Sequence, residues 1–260
     1  MSARNLHLSV SDGIAHIVID RVQRRNAMSL EMWREMARLV PTAAADRSVL
    51  AIVLRGVDAT AFASGADIEE MISIASDRGA WTLMDAVRGA EQALSDCSKP
   101  VIAMIRGFCI GGGVELALGC DLRFAAKTAT FAVPPAKLGL VYSLSSTRRL
   151  IELVGLGRAR DLLYSARSFD ASEAFRIGLV EHVFEENEIE RKTMDYIEML
   201  ARRSQYSIRA AKQISAAAIA GGSDEDEEVR DLRGNAFSGD DLKEGLDAFT
   251  KKRAPAFGWR

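Results

Sequence analysis

Apolar and polar residues alternate through LHLSVSDGIAHIVID (residues 6–20) on either side of Asp12-Gly13. A period of two marks half-buried strands, and Asp-Gly between two such runs predicts a β-hairpin. Ser29 then caps a predicted helix in which Leu30, Trp33, Ala37 and Val40 recur at helical spacing. The run VLAIVLRG (49–56) is continuously apolar until it nears its glycine, as expected of a strand buried on both faces. KPVIAMIRG (99–107) and CDLRFAA (120–126) repeat that pattern, with a glycine run and a short helix between them. Units of strand, loop and helix at this cadence predict a mainly parallel sheet with crossover helices. After GLVEHVF (178–184) the pattern changes, and from about residue 186 it predicts successive helices without strands. The acidic run SDEDEE (223–228) is expected to begin one of them, because negative charge suits a helix N-terminus. No repeat, low-complexity segment or linker is visible, so the helical part is expected to dock on the first part or on another subunit.

Composition narrows the partners. The 260 residues suffice for one large domain or two small ones, with a core that buries roughly 70–75% of the unfolded surface. A hydrophobic share of 48% with 27% charged residues excludes disordered and collagen-like chains. The net charge of −2, with both signs interspersed, builds no basic face for nucleic acid or an anionic membrane. A small-molecule partner is the expectation. MSARNLHLSV lacks an apolar core and a cleavage pattern, and no apolar run approaches the ~18 residues of a membrane span, so the expected location is the cytoplasm. Cys97, Cys109 and Cys120 are odd in number and lack CxxC spacing, which predicts buried, reduced thiols and neither a disulfide framework nor a zinc site. His7, His16 and His182 are scattered, none in an HExxH or GxSxG context, and are expected to be structural.

The candidate chemistry lies in CIGGGVELALGCD (109–121). Gly111, Gly112 and Gly113 stand between a predicted strand and a predicted helix, where glycine permits positive φ and lets another molecule approach the main chain. Amides at a helix start lack internal partners and favour an anion or a developing negative charge. The spacing does not match GxGxxG, and no GKS or GKT follows, which disfavours a nucleotide-phosphate cradle. Glu115 follows among Ile110, Val114, Leu116 and Leu118. A carboxylate buried there costs several kcal/mol unless paired, and its pKa rises towards the range of proton transfer; the alternative is a glutamate bonded to backbone amides. TAFASGADIEEM (60–71) places Gly65-Ala66 before a helix that Asp67 and Glu70 are expected to open as a capping box, leaving the Ala66 amide exposed.

These segments resemble the enoyl-CoA hydratase/isomerase (crotonase) family almost end to end: RRNAMS (24–29), AFASGADIEEM, KPVIAMIRGFCIGGGVELALGCDLRFAA, ATFAVPPAKLGL (129–140), ASEAFRIGLVEHVF (171–184) and EGLDAFTKKRAPAFG (244–258). The resemblance implies an α/β fold, the crotonase (ClpP-like) spiral of ββα units, over residues 1–185. It also implies a helical C-terminal region, 186–260, that builds homotrimers, often paired into hexamers. Family members bind acyl-CoA thioesters and hold an enolate on two backbone amides, matched here by Ala66 and Gly112, while Glu115 matches one of two acid/base glutamates. The coenzyme A moiety, part of the substrate and not a cofactor, is expected along Arg25, Ala27, Ala63, Gly65, Asp67, Ile68 and Gly111, near Pro134, Pro135 and Leu140. Phe249 and Lys252 are candidate contributions from a neighbouring subunit. No metal or redox cofactor is implied.

The chain departs from the hydratase pattern at Pro135, which stands where the second glutamate is expected, and VYSLSS (141–146) replaces the usual glycine-rich turn. PPAKLGLVYS is similar to methylmalonyl-CoA decarboxylase, which has a tyrosine at the position of Tyr142 but a histidine at that of Ala66. Three functions follow: a hydratase working with Glu115 alone, aided by Tyr142; a decarboxylase or hydrolase on the same amide pair; or a non-catalytic acyl-CoA-binding relative. The expected pocket walls are residues 70–90 and 140–150, with ISIASDRGAWTLMDA (72–86) either an ordered helix or a mobile lid.

Overall fold

The computed structural model describes residues 5–74 and 77–258. The chain divides into two compact units, Met1–Cys97 with Val101–Thr193, and Ser98–Pro100 with Met194–Arg260. The division falls inside a helix, somewhat later than the change of pattern at 186.

The first unit opens with the expected hairpin, β1 (Leu6–Ser11) antiparallel to β2 (Ile14–Ile19). Asp12 and Gly13 between them both have positive φ, 51° and 76°. There follow α1 (Leu30–Ala45), β3 (Ala51–Gly56), β4 (Ala61–Ala63), α2 (Ile68–Ser73) and α3 (Asp77–Ser95). Next come β5 (Val101–Ile105), β6 (Phe108–Ile110), α4 (Gly112–Gly119), β7 (Leu122–Ala126) and β8 (Thr130–Ala132). The unit continues with α5 (Pro135–Leu138), α6 (Leu144–Val154), α7 (Leu156–Ser165), β9 (Ser168–Asp170), α8 (Ala171–Arg176) and β10 (His182–Phe184). One sheet has the order β1-β2-β3-β5-β7-β10, parallel from β2 onward, and a smaller one the order β4-β6-β8-β9. Both are α/β layers in which short strands alternate with helices, as the pattern predicts. The small strands β4, β6 and β8 escape that pattern because three residues carry too little periodicity.

The central strands β3 and β5 are buried on both faces. On α1, Trp33 and Val40 are buried with Met32, Met36 and Leu39, while Leu30 and Ala37 lie at the edge of the buried face. Ser29 caps α1 by accepting from Met32 N at 3.3 Å. Asp67 caps α2 through the amides of Glu69 and Glu70, at 3.0 and 3.4 Å. The reciprocal half of the expected capping box is absent: Glu70 instead accepts from Leu30 N at 2.7 Å, joining the starts of α1 and α2. Cys97, Cys109 and Cys120 are buried thiols. His7 pairs with Asp20 at 3.4 Å, and His182 packs on Phe124 and Phe184.

The second unit carries the end of α9 (Ile189–Ala201), then α10 (Gln205–Ile219), α11 (Glu227–Ser238) and α12 (Asp240–Thr250). The acidic run does open a helix, with Asp226 at the N-cap of α11. No helix among the described residues is long and apolar enough to cross a membrane.

Candidate active site

The glycine loop ahead of α4 is built by a conformation that L side chains rarely adopt. Gly111 has φ 55° and ψ −117°, and its N–H donates to Ala132 O at 3.0 Å, which ties the loop to β8. Its carbonyl accepts from Val114 N at 2.8 Å and Glu115 N at 3.1 Å, starting the helix. Opposite it, β4 runs into Gly65, with φ 108°, and Ala66, which bridges to Met28. That bridge employs the amides of Met28 and Asp67, at 2.8 and 3.0 Å. Among the described hydrogen bonds, neither the Ala66 amide nor the Gly112 amide donates to protein.

The two amides belong to one small space. A β-carbon placed on Gly112 lies 3.3 Å from Ala66 N and only 2.9 Å from the Trp33 ring, and one placed on Gly65 lies 3.4 Å from Gly112 N. Glycine at 112 is therefore required by close approach. Two unspent N–H donors converging beside a helix N-terminus can hold an oxyanion without reorganising.

Glu115 lies in the first turn of α4, half-buried, and no hydrogen bond to its carboxyl occurs among the described residues. Burial first, and the charge of Glu91 second, push its pKa up to about 8. The helix N-terminus favours the ionised form, but desolvation outweighs it. Tyr142 points at the glycine loop: its hydroxyl donates to Gly111 O at 2.8 Å. Burial, then Glu115, Cys109 and Glu91, push its pKa well above the ordinary phenol value, so it acts as a donor and never as a base near neutrality.

These groups face a cavity of about 500 Å³. Of the residues expected from the sequence, Gly65, Ala66, Ile68, Gly111, Gly112, Glu115, Pro134, Pro135, Leu140 and Tyr142 line it together. Arg25, Ala27, Ala63 and Asp67 do not line it. Arg25 has positive φ and lies over the Phe108 ring at 5.2 Å, its carbonyl accepting from Ser64 N. Ala63 is buried behind Gly113. Asp67 pairs with Arg21 at 2.7 Å. Burial raises the Asp67 pKa as the largest single influence, yet the Arg21 pair and the two capping amides together hold it below the usual carboxylate value. Phe249 and Lys252 belong to the second unit, Phe249 exposed near the end of α12 and Lys252 at positive φ just after it.

The remaining walls are mostly apolar, Met71 and Ile74, then Leu83, Met84 and Val87 of α3, with Leu138 and Val141, and Ser64 and Ser143 add two hydroxyl-bearing residues. Most fall in the stretches 70–90 and 140–150. Within 72–86, residues 75 and 76 lie outside the described residues, and helix α3 begins at 77. Trp33 and Leu138 are pocket residues that sequence reasoning misses. Helical spacing marks Trp33 as buried, without revealing that its ring floors the glycine loop. Pro135, buried at the first position of α5, lines the cavity and carries no proton-transfer group. Among the described residues lining the cavity, Glu115 and Tyr142 are the titratable ones, and none is cationic.

The family model for enoyl-CoA hydratase/isomerase matches residues 9–260. The chain is 32% identical to a short-chain-enoyl-CoA hydratase of Clostridium acetobutylicum, with 97% of each chain covered. It is 33% identical to a crotonyl-CoA hydratase of Syntrophomonas wolfei, with 99% of each covered. Its fold superposes on the crystal structure of an enoyl-CoA hydratase/isomerase family protein from Hyphomonas neptunium with a TM-score of 0.95, at 40% identity and 98% coverage of both chains. With the Ala66 and Gly112 amides and Glu115 facing one cavity, this chain belongs to the enoyl-CoA hydratase/isomerase family.

Proposed function

We propose that the protein hydrates 2-enoyl-CoA thioesters with Glu115 as its single acid/base group. The observation that carries this reading is the Glu115 carboxyl, without a hydrogen-bond partner among the described residues, beside the converging amides of Ala66 and Gly112. With the thioester oxygen on the two amides, ionised Glu115 takes a proton from water as its oxygen bonds to C3. The C2–C3 π electrons move to the thioester oxygen, forming an enolate that the amides hold. Protonated Glu115 then returns its proton to C2 as the carbonyl reforms. Water is added across the double bond, on one face, and the carboxylate is restored. One amide donor supplies roughly 3 kcal/mol of transition-state stabilisation.

Apolar walls and the lack of a cation among the described lining residues favour an uncharged acyl chain over a malonyl-type substrate, whose carboxylate would meet Glu115 without a counter-charge. In the same reading coenzyme A lies along Arg25, Ala27, Ala63, Asp67 and Ile68, no cofactor takes part, and the enzyme works in the cytoplasm. The second unit serves a homotrimer or hexamer, supported by the exposed Phe237, Leu246 and Phe249. The test is hydration of crotonyl-CoA, followed as loss of the conjugated enoyl-thioester absorbance, by the wild type and by Glu115→Gln. Turnover that collapses in the variant is the expected result. Decarboxylation of methylmalonyl-CoA with no hydration would overturn the reading in favour of the second chemistry.

A further inference from the structure

The cavity that holds Glu115 has far more apolar wall than the proton transfer requires. On α3, Ala80, Leu83, Met84 and Val87 all line it. Spaced at i, i+3, i+4 and i+7, they form one stripe, and seven residues of helical rise make it about 10 Å long. The stripe reaches from the core into solvent, with Leu83 9% exposed and Met84 55%. The segment before Tyr142 does likewise: Leu138 and Val141 line the same space while 55% and 88% exposed. The lining therefore extends from the buried Trp33 ring to large apolar side chains in water. Apolar side chains gathered at one opening mark a surface that a ligand or partner covers.

The polar groups of the lining say which occupant fits. Ser64 Oγ donates to Arg24 O at 3.3 Å, Ser143 Oγ to the buried Glu91 at 3.2 Å, and Tyr142 to Gly111 O at 2.8 Å. Each hydroxyl hydrogen is already engaged with protein, and no described lining residue is cationic, so nothing is set aside for a polar or charged acyl substituent. A crotonyl group has a single methyl beyond its double bond. Held at Glu115, it leaves most of the stripe and the outer wall in water, whereas a longer alkyl chain removes them from it. We propose that the substrates are 2-enoyl-CoA thioesters of medium chain length and longer, whose alkyl chain runs from Glu115 along the α3 stripe and out past Met84, Leu138 and Val141. The open, apolar end sets no upper limit on chain length and makes Met84 a specificity-determining residue.

The inference rests on the cavity being an acyl-CoA site, and its test needs no turnover. Butyryl-CoA and octanoyl-CoA, both saturated and so unable to be hydrated, are titrated into the protein by calorimetry. Each methylene buried on the wall should tighten binding about twofold to fourfold, which makes octanoyl-CoA at least tenfold tighter than butyryl-CoA. In Met84→Gln, a change at an exposed helical position that keeps helix propensity, the ratio of the two affinities should fall by about threefold. A wild-type difference below tenfold overturns the proposal. So does a ratio that Met84→Gln leaves intact while shifting the sedimentation coefficient, since the wall would then be covered by a second copy of the chain. Hydration of crotonyl-CoA is read separately. Its absence, with the tenfold difference kept, removes the proposed reaction and leaves the acyl path; its presence without the difference does the reverse. If neither thioester binds, both fall.

Discussion

Two loops facing one cavity each open a helix, and they do so by opposite means. At the start of α4 the chain discards side chains, and Gly111 and Gly112 present bare backbone to the pocket beside a Glu115 carboxyl that accepts no hydrogen bond among the described residues. Across the N-cap and first turn of α6 it supplies side chains, and the hydroxyls of Ser143, Ser145 and Ser146 turn away to the buried Glu91 while Tyr142, just before them, reaches across to Gly111 O. The first loop leaves its donors and its glutamate unspent, which is what chemistry needs. The second satisfies every group it brings, which is what rigidity needs. Two glutamates with opposite surroundings thus take opposite tasks.

That contrast orders the consequences of substitution. Glu115→Gln removes the proposed proton carrier and should lower kcat by roughly 10²–10⁴-fold, measured by crotonyl-CoA hydration. Gly112→Ala should lower kcat by about 10²–10³-fold, because the new methyl meets Trp33 and Ala66 N and displaces the amide donor. On the serine side the effects shrink. Tyr142→Phe removes one neutral hydrogen bond to the loop and should reduce kcat by about tenfold or less, with KM little changed. A loss in Tyr142→Phe as large as that in Glu115→Gln would break the contrast and make the tyrosine a reacting group. Ser145→Ala should cost ~1 kcal/mol of stability in a denaturant titration.

Stability sharpens the same point. Folded Glu115 holds its proton up to about 8, whereas the unfolded side chain releases it near 4.5. The folded state binds more protons between those values, so wild-type stability falls as pH rises through that window. Glu115→Gln escapes this loss, and its Tm should exceed that of the wild type most at pH 9 and progressively less below 8.

The glycine side was legible in the sequence because its parts are contiguous. Residues 111–115 stand together, and their neighbours are apolar enough to announce a buried carboxylate. The hairpin around Asp12-Gly13 and the Asp67 cap were legible for the same reason. The serine side was not. Tyr142 bonds a residue 31 positions away, and the serines meet Glu91 across 52 to 55 positions, distances over which no periodicity speaks. Glu70 illustrates the limit: its spacing from Asp67 predicts a capping box, but tertiary packing offered it Leu30 N, 40 positions away. At Pro135 the sequence already excluded a second carboxylate, and the cavity offers none in its place among the described lining residues.

The central claim is that one glutamate both takes and returns the proton. It is tested most directly by the pH dependence of kcat/KM for crotonyl-CoA hydration. A single group that must be ionised in the free enzyme, with its pKa near 8, predicts activity that rises with pH through about 8 to a plateau. A bell-shaped profile, or a limb at the ordinary glutamate value, would contradict it.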